Sequence, residues 1–109
     1  MTDKIVVLCT CGSDDEGEQI ARRLIEKKLA ACVSVLPDVR SVYRWQGAIS
    51  DELETMLVIK SNRALFDELR AEIAKLHSYE VPEIIAIPIV DGSEGYLGWM
   101  DGELAKREP

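Results

Sequence analysis

Several things are scarce in this sequence, and each scarcity excludes something. Its 109 residues hold 3 cysteines, 4 prolines, 7 glycines and 1 histidine. An odd, low cysteine count does not make a disulfide scaffold and suits reduced thiols. So little proline and glycine excludes a collagen-like or low-complexity chain. The N-terminal apolar run, Ile5 to Cys9, is shorter than the ~7–15 residues of a signal-peptide core. No run approaches the ~20 residues of a membrane span, so a cytoplasmic protein is expected. Bases are the minority charge, 13 Lys and Arg against 20 Asp and Glu, for a net charge of −7. Such a chain repels phosphate backbones and anionic lipid, so neither nucleic acid nor membrane is an expected partner. A lone histidine, no nucleophile–base pair at a recognisable spacing and no Gly-x-x-x-x-Gly-Lys loop leave no catalytic site to name. The expectation is a protein that is not an enzyme.

What remains is 47% hydrophobic and 30% charged, the composition of one globular domain spanning 1–109. A chain of this length buries about two-thirds of its surface on folding. Ile5 to Cys11 is apolar and β-branched and predicts a strand covered on both faces. Ser13 to Glu16 has capping-box spacing, with Glu16 expected to reach back to the Ser13 amide. Ile20, Ala21, Leu24 and Ile25 then recur as on an amphipathic helix. From Ala31 the period becomes two, and Cys32 to Trp45 predicts a strand interrupted at Pro37-Asp38. Gln46-Gly47-Ala48 turns it into a second long strand, Ile49 to Lys60, making an unusually long hairpin. Ser61 or Asn62 caps a helix with an apolar stripe of Leu65, Phe66, Leu69, Ile73 and Leu76, which Pro82 prevents from continuing. Ile84 to Val90 predicts another buried strand, with Pro88 marking an edge or bulge. A short glycine-weakened helix follows from Ser93.

The order β-α-β-β-α-β plus a terminal helix predicts an α+β fold, the ferredoxin-like split β-α-β antiparallel sheet with a long hairpin and an extra C-terminal helix. The hairpin reaches beyond what two such helices cover, and an isolated ribbon is marginal in water. Val42, Tyr43, Trp45, Leu53 and Met56 then need a cover, and another subunit is the economical one.

Six segments carry a resemblance: Val6 to Thr10, Glu26 to Val33, Ser41 to Gly47, Glu54 to Lys60, His77 to Glu83, and Tyr96 to Trp99. In that order they closely resemble the CutA family of divalent-cation tolerance proteins, with Lys-Leu-Ala-Ala-Cys-Val and Tyr-Arg-Trp-Gln-Gly the most specific pieces. The resemblance implies a compact homotrimer, similar in plan to the PII signalling proteins, in which hairpins wrap neighbouring subunits. It also implies a cytoplasmic role in tolerance to copper and other divalent cations, with copper binding as the molecular activity.

The family's copper site places a thiolate in the Val-Leu-Cys-Thr motif, here Cys9, and two adjacent histidines before Tyr-x-x-Pro-Glu. This sequence has Leu76 and then His77. Cys11, two residues from Cys9 and on the same face of the strand, is a candidate replacement donor, expected to be the more reachable thiol. Thiolate and imidazole suit copper or another borderline divalent cation. The ordinary alternatives are that Cys9 and Cys32 are small buried hydrophobes and that His77 interacts with a helix C-terminus. Tyr43, Trp45, Lys60, Tyr79 and Glu83 are candidates to line a cleft between subunits, with Glu83 expected to need Lys60 or an amide as partner. A second functional reading follows: a ligand-sensing or scaffold module binding a small anion or an unidentified protein partner in that cleft.

Overall fold

The computed structural model describes residues 2–107. Four strands form one antiparallel sheet: β1 (Lys4–Cys11), β2 (Cys32–Trp45), β3 (Ala48–Asn62) and β4 (Ile85–Pro88), in the order β2-β3-β1-β4. Helices α1 (Asp14–Glu26), α2 (Phe66–Leu76) and α3 (Glu94–Glu103) complete it, with a 3-10 turn at Arg63–Leu65 leading into α2. The α+β arrangement is the expected one. Among the described residues no helix is long and apolar enough to cross a membrane.

Alternation decides which side of the sheet meets the helices. Ile5, Val7, Cys9 and Cys11 on β1 and Leu57 and Ile59 on β3 join Ile20, Leu24, Leu69 and Ile73 in one core. Ser13 caps α1 by accepting the Glu16 amide at 3.2 Å. The Glu16 carboxylate does not return to Ser13 as the capping box predicted; it accepts from Gly12 N at 3.5 Å and Ser78 N at 3.0 Å. It thereby ties the start of α1 to the segment after α2, where two otherwise orphaned amides are better donors.

The hairpin pairs Trp45 with Ala48 at its tip and Cys32 with Lys60 at its base, with a register shift between Leu36 and Val39 where Pro37 had been expected to interrupt pairing. Asp38 at that shift and Gln46 and Gly47 in the turn have positive φ, the turn geometry that matches strand twist. The projecting hairpin stretches the molecule to 44 × 25 × 24 Å.

Two expectations about burial fail on the side away from the helices. β1 is covered there only in part, because Val6 and Leu8 are half-buried. β4 is a short exposed edge strand rather than a buried one, with Ile85 51% and Ile87 48% exposed. Both pair with β1, Ile85 with Leu8 and Ile87 with Val6, so these four side chains share the helix-free face. Leu36, 40% exposed, lies opposite Met56 on the same face. The apolar side chains of α1 and α2 are spent on the opposite side of the sheet, and these apolar strand positions remain open.

Candidate metal centre

Cys9 and Cys11 occupy the C-terminal half of β1 and point towards the helices, both 0% exposed. The expectation that Cys11 would be the more reachable thiol is therefore corrected: β1 continues through it, and α1 packs over it. The close approach is made by Gly17, where an added Cβ would come within 3.2 Å of Thr55 Cγ2 and 3.9 Å of Cys11 Sγ. Cys32, at the edge of the sheet, is instead half-buried.

His77 reaches the same place from the end of α2. Its backbone N–H still bonds Ile73 O at 2.9 Å, while ψ of 139° turns the chain out of the helix. The ring enters the core with no side-chain exposure. The result is a cluster in which the Cys9, Cys11 and His77 donor atoms all lie within 4.8 Å of one another. Thus three residues from two distant segments meet.

The hydrogen bonds fix the imidazole. Its Nε2 lies 2.7 Å from Thr10 O, and a carbonyl only accepts, so Nε2 carries the proton. Nδ1 accepts the Tyr79 N–H at 3.0 Å, with Glu16 Oε1 3.9 Å away. The Tyr79 ring lies against His77 at a centroid separation of 4.7 Å, and its hydroxyl donates to Glu54 Oε2 at 2.7 Å. Burial, and then that bond to Glu54, hold the Tyr79 hydroxyl above its usual range. The Cys9 thiol points at Thr10 O at 3.8 Å; the neighbouring Cys11 thiol, with burial adding to it, holds Cys9 well above the ordinary thiol range, while Cys9 draws Cys11 below it. The thiolate is the form of either cysteine that ligates metal.

The donor set fits a thiophilic ion. Two sulfurs and an imidazole suit copper or zinc better than magnesium or calcium, which take oxygen. The cluster lies at the end of the core where the exposed Gly12 and Ser78 border it, rather than in its middle.

The cleft residues divide. Tyr43, Trp45, Tyr79 and Glu83 line a cavity of about 670 Å³ with Glu52, Glu54 and Glu80, but Lys60 is not among its lining residues. Lys60 sits further along β3, paired with Val6 and Cys32. Glu83 is exposed and needs no neutralising partner, because water solvates it. With glutamates and no lysine or arginine on its walls, the cavity repels a small anion. Sequence reasoning missed three contributors: Glu16 as a tie, Thr10 through its carbonyl, and Glu54 as partner of Tyr79. Only Glu16 carried a signal, its capping spacing.

Comparison with known proteins gives consistent matches. Residues 5–103 match the family model described as CutA1 divalent ion tolerance protein. A divalent-cation tolerance protein CutA from Thermus thermophilus is 42% identical over 95 residues, 87% of this chain and 92% of that one. Its counterpart from Pectobacterium atrosepticum is 35% identical over 104 residues, covering 95% and 94%. The crystal structure of CutA1 from Oryza sativa superposes with a TM-score of 0.93 at 38% identity, covering 95% of each chain.

Proposed function

Because this chain belongs to the CutA1 divalent ion tolerance family, we propose that it protects against metal ions by binding copper, or another thiophilic cation, within a homotrimer in the cytoplasm. The observation that carries this reading is the convergence of Cys9, Cys11 and His77 within 4.8 Å. The place of the second imidazole implied by the resemblance is taken by Leu76, and Cys11 brings a second soft donor to the same cluster. A dry thiolate site withdraws copper from exchange with solvent ligands, which is a direct route to tolerance. No turnover is required of it, and the lone histidine has both ring nitrogens engaged.

The trimer is supported by the open helix-free face. A sheet must bury each apolar face against another layer, and here Leu8, Leu36, Ile85 and Ile87 have none. Copies of the same chain provide one, with the hairpins reaching across; the number three comes from the resemblance. Three unpaired cysteines fit a reducing compartment.

Competition titration of the fully reduced protein with Cu(I) tests the function. One ion per chain, lost in Cys9→Ser, is the expected result. Binding that is absent, or unchanged in that variant, overturns the assignment.

A further inference from the structure

His77 has no bare nitrogen to offer a metal. Its Nε2–H is committed to Thr10 O at 2.7 Å and its Nδ1 lone pair to the Tyr79 N–H at 3.0 Å. An imidazole ligates through an unprotonated nitrogen whose lone pair is free. Releasing Nδ1 would orphan the Tyr79 amide, and releasing Nε2 would need a proton shift and the loss of the Thr10 bond. Thr10 is the residue between the two cysteines, so this bond pins the peptide that carries both thiols. Residues i and i+2 of a strand face the same way, and both sulfurs are fully buried there. Two sulfurs bridged by one ion sit up to about 4.6 Å apart, twice a metal–thiolate bond of ~2.3 Å. The cluster's spread of no more than 4.8 Å accommodates that.

Resting on the metal-binding reading above, we propose that the ion is monovalent copper held by the Cys9 and Cys11 thiolates alone. His77 is a positioning residue that sets the pair through Thr10. Two thiolates are too few for zinc, which takes four ligands, whereas soft thiolates select Cu(I). Copper enters as Cu(I) and remains so, and the two thiol protons leave to solvent, so no oxidant or reductant takes part. The bound ion thus differs in charge from the divalent cations for which the family is described.

Copper K-edge X-ray absorption of the Cu(I)-loaded protein reads the bound atoms directly. The expected spectrum has two sulfurs and no nitrogen. His77→Ala should keep that spectrum while weakening Cu(I) binding by ~10–100-fold, the usual effect of removing a group that orients a ligand. His77→Gln, which restores an N–H donor, should recover most of the loss. Nitrogen bound to copper in the wild-type spectrum would overturn this assignment and leave the proposed function standing. A wild-type protein that retains no copper would overturn both.

Discussion

Glu72 shows how much a single residue can depend on its neighbours. Its side chain is 6% exposed, yet it receives Lys27 at 3.0 Å, Lys75 at 3.4 Å and Arg23 at 3.5 Å. The hydrogen bond from Lys27, aided by Lys75, holds the carboxyl below its ordinary value against the opposing effect of burial. A group depressed in this way adds stability above its unfolded value, about pH 4.3, and loses it as pH falls through the folded value. Glu72→Gln should therefore lower the denaturation midpoint at pH 6, and the gap to wild type should close near pH 3. A gap of constant size across that range would mean the ions do not matter. At the same scale, the sequence placed Cys9 and Cys11 on one face by strand period alone. It did not place the His77 nitrogens, because their partners are the Thr10 carbonyl and the Tyr79 amide, main-chain groups that a residue's type does not mark.

The elements were legible where pattern and chemistry agree. Helices α1 and α2 follow their apolar stripes, and the hairpin follows period two, with its register shift at Pro37 and Asp38. Strand β4 was legible as a strand but not as an exposed one, since an apolar run such as Ile84 to Val90 fits either a covered strand or one awaiting cover. The packing of α1 on the sheet depends on Gly17, buried in the helix against Thr55, Leu57 and Cys11. Glycine weakens a helix by about 1 kcal/mol relative to alanine, so its presence there marks the close approach. Gly17→Leu should destabilise the metal-free protein by about 1–3 kcal/mol through overpacking, measured by urea unfolding. An unchanged midpoint would mean that α1 can lift without cost.

At the scale of the molecule, the arrangement of layers explains both what is hidden and what is open. Helices on one side of the sheet seal the thiols in the core, while the other side leaves Leu36, Ile85 and Ile87 substantially in water. A single sequence specifies its own core through periodicity, but it carries no direct mark of which apolar face a second copy will cover. Apart from the family resemblance, the hint was the hairpin, whose 14-residue and 15-residue strands outrun the helices. In the proposed trimer, the apolar face to be covered lies on the reverse of the strand that carries Cys9 and Cys11. Native mass spectrometry of the reduced, Cu(I)-loaded protein reads assembly and metal binding at once. The expected result is three chains carrying one copper each. A single chain, or an assembly without copper, would contradict it.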